Sequence, residues 1–316
     1  MPVIAKRRTA GAQLEFAGDR GGNFVAALIV GNGLWKKRKI FMGSFNKSQT
    51  AEIYEGAARG VDTSIYAHSK YNSFQMREIR KGLEEGLNVS IYANPIYSGR
   101  QMEQLRKGLE NGVDTSIYDN PKFNADQMDQ LRWGLENGVD VSLYADKKYD
   151  WKKMAEIREG LEAGVDVSIY ADPEFDSFQM SIIRQGLEKD LSVGIYADPM
   201  YTLEQMSVIY YGLEDGLDVS IYADQKYDWK QMHAIRVGLE EGVDVSIYAD
   251  PKYNFDQMHE LYLGLKENLD VSLYADEKND WKKMAEIRRS LEKSRANEQD
   301  RPVMKLNKPT GKGLER

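Results

Sequence analysis

The residues whose types could do chemistry in this chain begin with His68, His233 and His259 and its many carboxylates; it contains no cysteine. Without thiols there are no disulfides and no thiolate metal sites. His233 and His259 stand 26 residues apart. Two imidazoles on adjacent units would be half of a metal site, but a third ligand is not evident, and exposed helical histidines are the plainer reading. Serine recurs too often for a Ser-His-Asp arrangement to be singled out. Gly18-Asp19-Arg20-Gly21-Gly22 lacks the Lys-Ser/Thr of a phosphate loop and the helix that should follow it. The expectation is a protein that is not an enzyme, with no catalytic residue, cofactor or metal.

The histidine spacing belongs to a period that organises most of the chain. Tyrosine recurs every 26 residues from Tyr66 to Tyr274, and methionine keeps the same step from Met76 to Met284. A fixed period of this size marks a repeat architecture in which each unit buries its apolar face only against its neighbours. Each unit carries a helix start. The column that runs Asn46, Asn72, Ser98, Asn124 and onward to Asp280 holds only cap-forming residues, and Gln stands three positions later in eight of ten units, with Lys153 and Lys283 departing. That pairing is a capping box. An aromatic before the cap, from Phe45 to Tyr253, and methionine at the fourth helical position complete a hydrophobic staple. Met76, Ile79 and Leu83 then form one apolar stripe. The stop is Gly86 and its counterparts, with Asp190 and Asn268 as substitutes, at the position where a left-handed backbone ends a helix.

A second glycine lies inside nine of the ten helices, from Gly56 to Gly264, with Ser290 ending the series, and there it costs about 1 kcal/mol relative to alanine. It is read as allowing close approach of the next unit's backbone; a functional cleft along the column is the alternative. The remainder of the unit, Asn88 to Ala93 in one copy, is short. Alternation of Val, Ile and Tyr suits a brief strand and an α/β horseshoe. Asp at the first position in seven of nine units instead suits the cap of one helical turn, which is preferred. The fold expected over residues 46–292 is all-α, a right- or left-handed α-solenoid of ten 26-residue helix–turn–short-helix repeats. Residues 22–30 and 34–41 flank Gly31-Asn32-Gly33 and read as a small N-terminal β-hairpin cap within a basic segment, 1–45. Residues 293–316 read as a flexible basic tail, helical at its start.

Charge is unevenly spread. The chain carries −7, but residues 1–45 hold +6 and residues 293–316 hold +4, so 46–292 holds 28 Lys/Arg against 45 Asp/Glu, a net −17. No run of 18 apolar residues and no apolar leader is present, so a cytoplasmic location away from membranes is expected.

Most carboxylates have a structural explanation. The Asp columns cap helices, and the Glu84 column follows an arginine by four residues in seven of the ten units, which pairs the charges along the helix. In one unit both members change together, to Tyr262 and Lys266. Comparing units separates fixed columns from free ones. The free columns, those of Phe74, Arg77, Glu78, Lys81 and Glu85, are mostly polar, as a solvated helix face should be. Trp133, Ile182, Val208, Tyr211, Val237 and Leu263 break that pattern, and Phe178 and Tyr210 lie near them. Merged into one exposed patch they would form a partner-binding surface; packing against a tail or neighbour is the alternative. Trp151, Trp229 and Trp281, each followed by lysine, either stack on nucleic-acid bases or pack over the staple.

The unit "QMEQLRKGLENGVDTSIYDNPKF", residues 101–123, resembles repeat arrays in phage and conjugative-element proteins of gut Firmicutes, over residues 46–292. The resemblance implies a mobile-element context and carries no site residues. The function expected is a non-enzymatic scaffold that binds a protein, with an acidic surface suited to a basic nucleic-acid-binding effector such as a host defence nuclease. The alternative is direct nucleic-acid binding through the basic ends, with Lys36, Lys37, Arg38 and Lys39 on phosphates.

Overall fold

Each of the ten cap residues makes the bond its type suggests. The side chains of Asn46, Asn72, Ser98, Asn124 and Asp150 accept from amides of the first helical turn, and so do those of Asp176, Thr202, Asp228, Asn254 and Asp280. A computed structural model of the chain describes residues 4–9, 12–18 and 24–30 as backbone, and 45–299, with side chains to 296. The caps open ten helices: α1 (Lys47–Ala58), α2 (Ser73–Glu84), α3 (Gly99–Glu110), α4 (Ala125–Glu136), α5 (Trp151–Ala163), α6 (Ser177–Glu188), α7 (Leu203–Glu214), α8 (Trp229–Glu240), α9 (Phe255–Lys266) and α10 (Trp281–Gln299). All nine expected stops take positive φ, Asp190 and Asn268 included, at 56° and 53°. The short second element is a single 3-10 turn, as in Val89–Ile91 and Val141–Leu143, so the strand alternative is set aside. Residues 45–299 contain no strand.

The helices fall into two compact units, residues 1–180 and 181–316, the boundary lying within α6. In the first, α1 packs on α2, α2 on α3, α3 on α4 and α4 on α5; in the second, α7 packs on α8, α8 on α9 and α9 on α10. The expected stripe is buried: Met76, Met102, Ile79 and Leu105 expose 0% of their surface. Leu83 is only half-buried.

At the N-terminus, β1 (Ile4–Thr9), β2 (Ala12–Gly18) and β3 (Phe24–Val30) form an antiparallel sheet in that order, with Ile4 opposite Ala17 and Ala12 opposite Val30. The strand expected at 22–30 is β3, and its partner is β2, which periodicity did not pick out. The second strand of the expected hairpin, 34–41, lies outside the described residues, as does the tail beyond 299.

The interior glycines have a cause different from the one expected. They do not admit the next unit's backbone. A Cβ on Gly108 would lie 1.8 Å from the hydroxyl of Tyr118, ten residues on in the same unit, and on Gly82 it would lie 2.0 Å from that of Tyr92. The tyrosine of each 3-10 turn folds back under its own helix, and its hydroxyl fills the space a side chain would need. Tyr66, Tyr92 and Tyr170 donate from that position to the backbone carbonyls of Glu52, Glu78 and Glu156, at 3.0–3.1 Å. Tyr222 is the one described side chain with a buried polar atom lacking a partner. Burial pushes these phenols above the ordinary tyrosine range, to about 12 for Tyr274. Ser290 replaces the glycine in the last helix, and no tyrosine follows ten residues after it.

Gly108→Ala should therefore destabilise by about 1–3 kcal/mol through overpacking, although alanine is intrinsically the better helix former. Adding Tyr118→Phe should recover more than half of the loss, and Ser290→Ala should carry no penalty. Urea unfolding followed by circular dichroism measures all three.

Candidate interaction surface

A helix in a stacked array meets a core on one side and a neighbouring helix on each flank, so little of it stays free. The flanks here carry a polar ladder. Arg80 Nε donates to Glu52 Oε2 at 3.0 Å, Arg106 Nε to Glu78 Oε2 at 2.9 Å, Arg132 Nε to Gln104 Oε1 at 3.0 Å and Arg158 Nε to Gln130 Oε1 at 3.0 Å. Arg288 Nε reaches Glu260 Oε2 in the same way, at 2.8 Å. Each of these arginines also pairs with the glutamate four residues on, at 2.5–2.9 Å, as the sequence suggested. Burial works against the charge of Arg80, and its hydrogen bonds to Glu84 and Glu52 more than offset this, so its pKa lies above the usual arginine value.

The Gln of each capping box also faces two ways. Gln75 Oε1 accepts from its own cap amide at 2.8 Å, while Nε2 donates 2.6 Å to the carbonyl of Tyr97 in the next unit. Gln101 reaches Phe123, Gln127 reaches Tyr149 and Gln231 reaches Tyr253 in the same manner. Lys153, which cannot form the box, still crosses to the next unit through Pro173 O at 2.7 Å.

This arrangement corrects the free-face reading. The Glu78 column is not solvated; Glu78 is 0% exposed and belongs to the ladder. After residue 180 the Glu78 column carries Ile182, Val208 and Ala234 before returning to Glu260, and the Arg80 column carries Tyr210 and Tyr262 among its arginines. Val208 and Tyr210 were read as part of an exposed patch and are in fact buried, at 8% and 4% exposure. Tyr210 stands at an arginine position of the ladder, and a lysine takes over the cationic role: Lys189 Nζ lies 5.3 Å from its ring centroid. Tyr262 stands at another, and Lys266 Nζ meets its hydroxyl at 3.1 Å and Glu241 at 2.5 Å. Ile182, Val237 and Leu263 are half-buried, and only Tyr211 of this group is exposed. Tyr211, Val237 and Leu263 occupy one column on successive helices, α7 to α9. Trp133 and Phe178 are exposed on the first unit, with the Arg158 guanidinium 5.3 Å from the Trp133 ring centroid.

Trp151, Trp229 and Trp281 are part-exposed at the first helical position, each with its following lysine 5.7–5.8 Å from the ring centroid. His259 is exposed and stacks between Phe255 and Tyr262, at 6.2 and 6.0 Å. Burial, with Arg236 nearby, holds His233 below the usual histidine range. No group of three or more side chains able to hold a metal occurs among the described residues, and no helix among them is long and apolar enough to cross a membrane. Lys36, Lys37, Arg38 and Lys39 lie outside the described residues. Comparison with protein-family models, with curated proteins and with solved structures found no match.

Breaking one rung and replacing one rung should differ. Arg106→Met leaves the buried Glu78 carboxylate with only the part-exposed Lys81 as partner, at 3.2 Å, and should cost up to about 3–5 kcal/mol. Arg106→Met with Glu78→Leu should recover most of that loss, because an apolar pair needs no compensating charge. Thermal midpoints of the two variants decide it.

Proposed function

We propose that the chain is a non-enzymatic scaffold that binds a protein partner through its repeat array. The placement of charge carries this reading. Residues 46–292 hold a net −17, and the ladder arginines Arg80, Arg106, Arg132 and Arg158 face inward, at 5–6% exposure. The turn carboxylates Asp114, Asp140 and Asp166 lie outward. Serine hydrogen bonds hold all three below the usual carboxylate range, so they stay ionised. Such a surface attracts and orients a basic protein. Together with the resemblance to mobile-element repeats, it favours a basic nucleic-acid-binding effector as partner. In this reading a host defence nuclease meets carboxylates where it would otherwise meet phosphates, and the encounter takes place in the host cytoplasm.

A panel of basic nucleases, assayed on labelled duplex DNA, should include members inhibited by the chain at about 0.05 M salt and released at about 1 M. Inhibition unweakened at the higher salt would remove charge mimicry. In a gel shift without nuclease, the chain should form no DNA complex at about 0.5 M salt. A stable complex that requires residues 1–45 would move the function to the basic ends.

A further inference from the structure

One exposed column is apolar in every unit. The last residue of each 3-10 turn is Ile65, Ile91, Ile117, Leu143 and Ile169 in the first compact unit. In the second it is Ile195, Ile221, Ile247 and Leu273. Eight of these nine side chains are 36–60% exposed. Neighbouring columns keep their residues for reasons visible in the structure. The Asp before each turn caps it, and Ser168 donates from both N and Oγ to Asp166 Oδ1. The tyrosine after it fills the glycine site. Nothing comparable holds the Ile/Leu position, and duplication alone does not explain it. The free column of Lys81 has drifted within the same chain to Lys107, Trp133, Glu159, Gln185 and Tyr211.

Charge brackets the row. Leu143 lies three residues from Asp140 and three from Asp146, and Ile169 is placed likewise between Asp166 and Asp172. The same holds for Ile221, Ile247 and Leu273 in the second unit. All the bracketing carboxylates around Leu143 and Ile169 are exposed or nearly so. Lys148, Lys226 and Lys252 pair with some of the later ones and leave the capping Asp column outward. An apolar row between carboxylates repels phosphates, anionic lipid and a second copy of this chain, which would bring the same charges. It suits a cationic segment with apolar teeth. Stacked helices lie about 8–10 Å apart, close to three residues of an extended chain at about 3.3 Å each.

We propose that within each compact unit the turn-borne Ile and Leu row, bracketed by carboxylates, grips an extended segment of a partner protein that has an apolar residue at every third position and Lys or Arg between. This deepens the scaffold reading above and rests on it. The edge built by the 3-10 turns, rather than the long-helix face, is then the gripping surface.

Fluorescence anisotropy with a labelled peptide of Leu-Lys-Lys triplets tests it, against an all-lysine peptide of equal charge. The full chain should bind the triplet peptide at least about tenfold more tightly than the all-lysine one. Serine at Ile117, Leu143, Ile169, Ile221, Ile247 and Leu273 together should abolish that preference while helicity is retained. Asp114→Asn, Asp140→Asn and Asp166→Asn keep a good cap, as Asn88 does, and should weaken binding several-fold. Tyr211→Ala, Val237→Ala and Leu263→Ala should leave it unchanged. Equal affinity of the serine variant, or equal affinity for both peptides, would overturn the proposal. So would a gain in affinity on removing residues 300–316, which would give the row to the chain's own basic tail. A serine variant that inhibits a basic nuclease as well as the natural chain does would sink the row and spare the scaffold; failure of both chains to inhibit would sink the scaffold reading itself.

Discussion

A tyrosine hydroxyl sits where a glycine has no side chain, and the geometry of every unit follows from that contact. The contact joins residues ten apart, from Gly56 with Tyr66 to Gly264 with Tyr274. It folds each 3-10 turn against the helix that precedes it. The ring is wholly buried and the hydroxyl is close enough to bond helix carbonyls. The glycine gives up about 1 kcal/mol of helix propensity, and the buried aromatic ring more than offsets it. Because the contact is the same in nine successive copies, those units come out the same length and shape, and a one-residue insertion between the glycine and its tyrosine would break it.

Units of one shape can be joined by one set of bonds. The capping-box glutamine closes its own helix with one end and holds the next unit with the other. The arginine of the ladder likewise bonds within its helix and across to the previous one. Each link therefore counts twice, once in the unit and once between units. That economy also uses up the helix flanks. What remains for solvent is a narrow helix face, the acidic turn edge and the helix ends.

Local features were legible in the sequence. A cap, a glutamine three residues later and a left-handed stop are governed by neighbours in the chain, so Asn72, Gln75 and Gly86 announce themselves. The helical character of the short turn followed from its capping Asp column. Relations between units were not legible. The second hydrogen bond of Gln75 spans 22 residues and leaves no mark on local pattern. Glu78 looked solvated because a single helix has one buried stripe; in a stack both flanks are covered as well. Val208 and Tyr210 looked like an exposed patch for the same reason, when they replace ladder positions. One signal was available and overlooked: Ile65, Ile91, Ile117 and their successors stay apolar in every copy.

Closed units of equal length are held in register by bonds at fixed sequence offsets. Excising residues 99–124 removes one full 26-residue period. Excising 99–123 removes one residue less and shifts by one residue the offset of every bond that spans the junction. Thermal unfolding of the two deletions, followed by circular dichroism, is the direct test. The full-period deletion should unfold cooperatively near the parent midpoint with about a tenth less helix, and the shorter one should lose cooperativity and melt far lower. Equal midpoints for the two deletions would contradict the account.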